Sequence, residues 1–245
     1  MTTSIPDTDP AVLADLAAAS RILAKRGVVD AFGHVSLRHP DDPGLYLMPK
    51  AQAPALTTPG DIITYSLDSE PLNDAGRGNF IERFIHGEIY KLRPDINSIV
   101  HSHSPSVIPF GLTGAPMVGT FHNAAFLAEG APVFDIREKF GQTDMLVCDC
   151  AKGIALAETL EEKHVALMRA HGSVACGKHL QLSVFRAVYT EVSARIQTAA
   201  FAIAAGGPIA ALDEEEGRLA DAVNDNACMR AWHLWRTEIT METGW

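Results

Sequence analysis

Two histidines separated by one residue are the clearest chemical feature of this chain. His101 and His103 follow the apolar run 96–100. Side chains at i and i+2 of a strand lie on the same face, so both rings can point to one spot. Imidazole is the commonest protein ligand for transition metals. The spacing alone is a weak motif, and two exposed or core histidines near a loop would have the same pattern.

A third histidine follows another predicted strand. The apolar run 165–168 leads into Arg169-Ala170-His171-Gly172. Three protein ligands with an open position are the catalytic form of a zinc or manganese site. Ligand sites of open α/β sheets lie where strands end. The three strand-end imidazoles of His101, His103 and His171 are therefore consistent with a three-histidine metal site.

A predicted helix over 79–90 precedes the two histidines. Its isoleucines recur at every fourth position, and it ends before Pro94. Glu82 and His86 flank the apolar stripe of this helix. His86 is a candidate to lie behind a metal site, because ligating histidines need a partner that orients their second ring nitrogen.

Length and composition limit the class of protein. The 245 residues, 47% of them hydrophobic, fit one α/β domain with a substantial core. A net charge of −10 argues against nucleic-acid binding. The polar, acidic N-terminus resembles neither a signal nor a transit peptide, and the apolar stretch 199–211 is too short to span a membrane. We expect a cytoplasmic protein with four free cysteines.

Strand and helix patterns interleave irregularly, which predicts a mixed sheet with helices on both faces. The predicted strands cover 31–38, 45–48, 62–65, the H-x-H segment, 165–168 and 174–177, with further short strands in 116–134. The predicted helices cover 9–25, 79–90, 104–112, 150–160, 180–205 and about 213–240.

In their order and spacing, four pieces of this sequence resemble the class II aldolase/adducin family, over about 17–205. They are Gly33-His34-Val35-Ser36-Leu37-Arg38, the E-x-x-x-H run that starts at Glu82, the H-x-H pair and Arg169-Ala170-His171-Gly172. The resemblance implies a three-layer α/β/α fold with a central mixed, largely antiparallel sheet. It also implies a single domain over 1–245 that forms a homo-oligomer, commonly a tetramer with sites at subunit interfaces.

The resemblance further implies a divalent metal (Mn²⁺, Zn²⁺ or Fe²⁺) on the three histidines, with no organic cofactor. Glu82 is then either a fourth ligand or the acid/base, with its pKa raised by apolar neighbours. His122, in the middle segment, is the other candidate proton donor; a loop position or a subunit contact would also explain it. The C-terminal helix is expected to pack on the body or on a neighbouring subunit.

Departures from the aldolase pattern indicate the substrate. His34 replaces the family's asparagine, Lys50 begins a pair that replaces threonine–glycine, and Phe80 and Ile81 replace two serines. Bulky apolar groups cannot replace hydroxyl donors around a phosphate. These replacements suit an aromatic ring against Phe80 and Ile81, with a carboxylate held by Lys50, His34 and, in one alternative, Arg38.

This combination resembles the decarboxylase branch of the family, which includes 3-hydroxy-2-methylpyridine-4,5-dicarboxylate 4-decarboxylase and 3,4-dihydroxyphthalate decarboxylase. The expected activity is a metal-dependent lyase reaction of aromatic catabolism, the non-oxidative decarboxylation of an ortho-hydroxy phthalate- or pyridine-type dicarboxylate. One alternative is an aldolase or dehydratase acting on a non-phosphorylated hydroxy-carbonyl compound. The other is a non-enzymatic, adducin-like assembly module.

Overall fold

The computed structural model describes residues 5–245. Within them, seven strands form one sheet in the order β3-β2-β1-β4-β7-β6-β5. Neighbouring strands are antiparallel except β5 and β6, which are parallel. This confirms the expected mixed, largely antiparallel sheet. The strands are β1 (His34–Arg38), β2 (Leu45–Pro49), β3 (Ile62–Ser66), β4 (Ser98–Ser102), β5 (Val133–Phe134), β6 (Val165–Met168) and β7 (Gly172–Gly177).

Helices cover both faces of the sheet because successive strand residues point in opposite directions. In β4, Val100 joins the core that contains residues of α1, α6 and α7, whereas Ile99 joins the core that contains residues of α2 and α5. The fold is therefore three-layered. The helices are α1 (Pro10–Lys25), α2 (Phe84–Leu92), α3 (Phe110–Thr113), α4 (Ile136–Phe140), α5 (Cys150–Leu160), α6 (Leu180–Ile203) and α7 (Glu214–Thr243).

Three predicted elements differ from the structure. The helix expected over 79–90 begins as α2 only at Phe84, after a 3₁₀ turn over Ile81–Arg83. The helix expected over 104–112 is reduced to α3, because prolines at 105 and 109 interrupt it. The middle segment expected as short strands holds a 3₁₀ stretch over His122–Leu127, and only β5 is a strand.

The C-terminal helix α7 packs along α1 and α6 of the same chain. Its buried side chains include Trp232 and Trp235, which belong to the core on that side of the sheet. Within the described part of the chain, no helix combines the length and the apolar character that a membrane crossing requires.

Candidate metal centre and adjoining pocket

Four side chains from separate segments converge at one end of the sheet. His101 lies on β4 and His103 just after it, His171 lies in the β6–β7 turn, and Glu82 lies in the 3₁₀ turn before α2. One ligand atom of each lies within 4.8 Å of the others. The structure thus brings the three predicted histidine ligands together with Glu82.

The distances are those of lone-pair atoms that surround a common point. His103 Nε2 lies 3.2 Å from His101 Nε2 and 3.0 Å from His171 Nε2. Glu82 Oε2 lies 3.5 Å from His101 Nε2 and 3.4 Å from His171 Nε2. Three imidazoles and a carboxylate are a donor set that divalent transition metals accept, so the cluster fits such an ion.

Backbone groups orient this donor set. His101 Nδ1 lies 3.2 Å from the Ser173 carbonyl, and His171 Nδ1 lies 3.2 Å from the Met145 carbonyl. Carbonyls only accept, so each Nδ1 carries the proton and each Nε2 keeps its lone pair for a metal. The Val147 N–H donates to Glu82 Oε1 at 3.0 Å, which leaves Oε2 directed at the histidines.

A close backbone approach places His171. The turn between β6 and β7 passes directly against the end of β4, where a Cβ on Gly172 would lie 2.0 Å from the Ser102 carbonyl oxygen. Only glycine permits this approach. The glycine after the histidine, which marked the strand end in the sequence, is therefore a positional requirement of the site.

The pKa values of His103 and Glu82 bear on whether Glu82 is a metal ligand or a proton donor. Burial, with the adjacent His101 and His171 rings, lowers the pKa of His103 to about 4, so this imidazole is neutral at pH 7. Burial would raise the pKa of Glu82, but a proton or a metal ion at the facing nitrogens of His101 and His171 holds it well below the ordinary value. The expected raised pKa is thus corrected, and an ionised Glu82 suits a ligand better than a neutral proton donor.

A cavity of about 670 Å³ adjoins the cluster. Phe80 and Ile81 line it, as the sequence predicted, together with Phe32 and Leu146, which sequence reasoning missed. Phe32 stacks on the His103 ring with centroids 6.3 Å apart. The sequence signal that could have identified Phe32 is its position just before the Gly-His-Val-Ser motif. Ala31, Ala51 and Ala53 complete a mostly apolar wall.

His34 also lines the cavity, opposite His101 in the β1–β4 pairing. His34 Nδ1 lies 2.7 Å from His86 Nε2, and His86 Nδ1 lies 2.6 Å from Ser36 Oγ. His86 therefore supports His34 and not a metal ligand. This corrects the expectation that His86 orients the ligating histidines, since the carbonyls of Ser173 and Met145 do so.

Arg38 and Lys50 are engaged elsewhere. Arg38 lies at the opposite end of β1, where its guanidinium donates to carbonyls that include those of Ile96 and Pro43. The expectation that Arg38 binds a substrate carboxylate is wrong for this reason. Lys50 Nζ lies 2.7 Å from Asp61 Oδ1. A substrate role for Lys50 stays a prediction and requires this ion pair to open.

His122 is exposed and lies in the 3₁₀ stretch that packs against α7, where its carbonyl accepts from Asn224 Nδ2 at 2.6 Å. It does not join the metal cluster or the cavity wall of the same chain. A catalytic role for His122 stays a prediction. The four cysteines are free, as the sequence indicated.

Residues 14–198 match the family described as Class II Aldolase and Adducin N-terminal domain. The chain belongs to the class II aldolase/adducin family, which confirms the resemblance. Class II aldolases depend on divalent metal ions, so a metal site is expected at the His/Glu cluster.

Relatives of this chain include proteins named as decarboxylases. Decarboxylase tropJ from Talaromyces stipitatus is 35% identical over 244 residues, with 91% of each chain covered. A 3,4-dihydroxyphthalate decarboxylase from Arthrobacter keyseri is 28% identical over 236 residues, also with 91% of each covered. These relatives confirm the resemblance to the decarboxylase branch. The solved L-fuculose 1-phosphate aldolase from Glaciozyma antarctica PI12 has a TM-score of 0.73 at 21% identity, covering 99% of this chain and 96% of that one; it shows the fold alone.

Proposed function

We propose that this protein is a divalent-metal-dependent, non-oxidative decarboxylase of an ortho-hydroxy aromatic dicarboxylate of phthalate or pyridine type. The observation that carries the proposal is the contact between a three-histidine, one-glutamate cluster and a mostly apolar cavity. Relatives named as decarboxylases support a carboxy-lyase reaction. We propose Mn²⁺ or Zn²⁺ as the metal, with Fe²⁺ as a further candidate.

The cavity wall favours an aromatic ring over a sugar phosphate. The side-chain amides in the wall are largely engaged: Asn79 Nδ2 donates to Asp74 and to the Arg77 carbonyl, and one of the two Gln52 N–H groups donates to Asp61. A phosphate group would need several free donors. A flat ring can instead pack against Phe32 and Phe80, with Ile81 at its edge.

The residues present divide the chemistry between them. A divalent ion held by His101, His103, His171 and Glu82 would supply Lewis acidity toward the substrate oxygens. The apolar wall excludes water around the carboxylate that leaves. The ring carbon gains a proton, its bond to the carboxylate breaks, and the bonding electrons return to the ring as CO₂ departs.

The proton donor for the ring carbon is a separate assignment. Glu82 and His122 are the two candidates, and the ionised state of Glu82 favours His122. His122 is exposed in its own chain, so it would have to reach the cavity of a neighbouring copy. We propose the homotetramer that the family resemblance implies, with sites that include residues of adjacent copies. Its mass in solution should be four times the 26.3 kDa of one chain, whereas a monomer would remove His122 from the mechanism.

The decisive assay follows CO₂. Protein loaded with Mn²⁺ or Zn²⁺ is incubated separately with 3,4-dihydroxyphthalate and a hydroxypyridine dicarboxylate, with chelated protein as the control. We expect CO₂ and the monocarboxylate in equal amounts, only with metal. Release of an aldehyde from a hydroxy-ketone, without CO₂ from either aromatic acid, would overturn the proposal in favour of an aldolase.

A further inference from the structure

A continuous chain of four buried polar side chains runs from the cavity into the protein. His34 Nδ1 lies 2.7 Å from His86 Nε2, His86 Nδ1 lies 2.6 Å from Ser36 Oγ, and Ser36 Oγ lies 2.7 Å from the Tyr90 hydroxyl. All four residues are buried. They come from β1 and α2, which pack together on the same face of the sheet as the metal cluster.

One end of this chain opens to the cavity. His34 lines the cavity, and its Nε2 makes no hydrogen bond within residues 5–245. That nitrogen is also not among the sealed, unpartnered polar atoms of these residues, so it is reached from the cavity. At the other end, the Tyr90 hydroxyl has Ser36 as its single hydrogen-bond partner within residues 5–245.

Both imidazoles of the chain are buried, and neither is hydrogen-bonded to a carboxylate within residues 5–245, so their surroundings favour the neutral ring. A neutral imidazole carries one N–H and one lone pair. Where the two rings face each other, one nitrogen must therefore carry the hydrogen and the other must keep its lone pair.

Only one order satisfies every buried donor. If Tyr90 O–H donates to Ser36, Ser36 O–H donates to His86 Nδ1, and His86 Nε2–H donates to His34 Nδ1, each donor has an acceptor. In the reverse order the Tyr90 O–H has no acceptor within residues 5–245, and an orphaned buried donor is costly. The forward order leaves the proton of His34 on Nε2, facing the cavity.

We infer that Tyr90, Ser36 and His86 are positioning residues that fix the tautomer of His34, so that His34 presents an Nε2–H donor to an anionic oxygen of the substrate. The other polar side chains of the wall are the cluster residues Glu82, His101 and His103 and the amides of Gln52 and Asn79, so His34 is the imidazole donor that can select where a carboxylate lies beside the cluster. The identity of that oxygen as a substrate carboxylate rests on the proposed function; the tautomer does not.

Neutron diffraction from perdeuterated crystals of the metal-loaded protein tests the tautomer directly, without any assay of activity. We expect deuterium on Nε2 of both His34 and His86, and none on Nδ1 of either ring. Deuterium on His34 Nδ1 would overturn the inference. If no aromatic acid is decarboxylated, the proposed function fails while this result still stands or falls by itself.

Variants at position 36 supply a second test. Ser36→Asp places a side chain that only accepts beside His86 Nδ1, so His86 should carry its proton on Nδ1, accept from His34 Nδ1–H and leave His34 Nε2 without a proton. The KM should then rise by about tenfold, the loss of one hydrogen bond to a charged oxygen, at an unchanged metal content. Ser36→Thr keeps a hydroxyl and should restore the wild-type KM.

Tyr46→Phe is the matched control, because Tyr46 is a buried tyrosine of the same core whose hydroxyl donates to Ser69, outside the chain of four. Its KM should equal that of the wild type. Equal KM values for Ser36→Asp and Ser36→Thr would overturn the inference. If Ser36→Asp does not fold, the deuterium positions in the wild-type protein decide.

Discussion

His103 is the ligand on which the metal cluster depends most directly, because its Nε2 lies close to both other imidazoles. We expect His103→Ala to lower metal affinity more than about 100-fold, beyond the effect of losing a supporting group, and to abolish turnover. Metal content after dialysis measures this. His233→Ala, an exposed histidine on α7, should retain the metal. A His103→Ala protein that is active without metal would reject the proposed site.

His86 gives the folded protein a defined pH dependence. Its pKa is near 3 in the folded state and about 6.5 when unfolded, so protonation favours unfolding. The stability that neutral His86 contributes is complete above pH 6.5 and is lost as pH falls toward 3, by up to about 1.4 kcal/mol per pH unit. Denaturant unfolding of the chelated protein at pH 7 and pH 5 should show this loss.

The matched comparison for His86 uses glutamine. His86→Gln has no titrating group in this range, and its amide can still donate to His34 and accept from Ser36. The difference in unfolding free energy between pH 7 and pH 5 should shrink in His86→Gln and stay unchanged in His233→Gln. An unchanged difference in His86→Gln would show that His86 is not the buried titrating group.

At the scale of elements, the β6–β7 turn is the most constrained part of the site. A side chain on Gly172 would meet the Ser102 carbonyl oxygen at 2.0 Å, so Gly172→Ala must push the turn and His171 away from β4. We expect a loss of about 1–3 kcal/mol in stability and a clear loss of metal affinity. Thermal unfolding and metal titration check both.

Gly60→Ala is the control for that substitution. A Cβ on Gly60 would lie 3.9 Å from the nearest atom, the Thr58 hydroxyl oxygen, which is an ordinary contact. It should keep the stability and metal affinity of the wild type. Equal metal affinity in Gly172→Ala would mean that the backbone approach does not position His171.

Elements with strong local signals were predictable from the sequence. Asp9 caps α1 as expected, with its side chain accepting from the Ala11 N–H. The three histidines were found because alternation and strand ends are local properties. The tertiary partners were not local: Arg38 was assigned to substrate because its sequence position does not reveal the carbonyls at the far end of β1. The link from His34 through His86 to Tyr90 likewise joins β1 to α2 and needs coordinates.

For the molecule as a whole, the donor atoms come from parts of the chain that lie far apart in sequence, at Glu82, at His101 with His103, and at His171. An ion bound by all of them would link the 3₁₀ turn before α2, strand β4 and the β6–β7 hairpin, as a covalent cross-link does. Because the unfolded chain offers no such preformed arrangement, binding would stabilise the folded state by mass action. The melting temperature should therefore rise with free metal concentration and fall on chelation with EDTA, and His103→Ala should melt at the same temperature with or without metal. The same ion that activates the substrate would then also determine how much of the protein survives heating, so the supply of metal would limit the amount of folded enzyme as well as its rate.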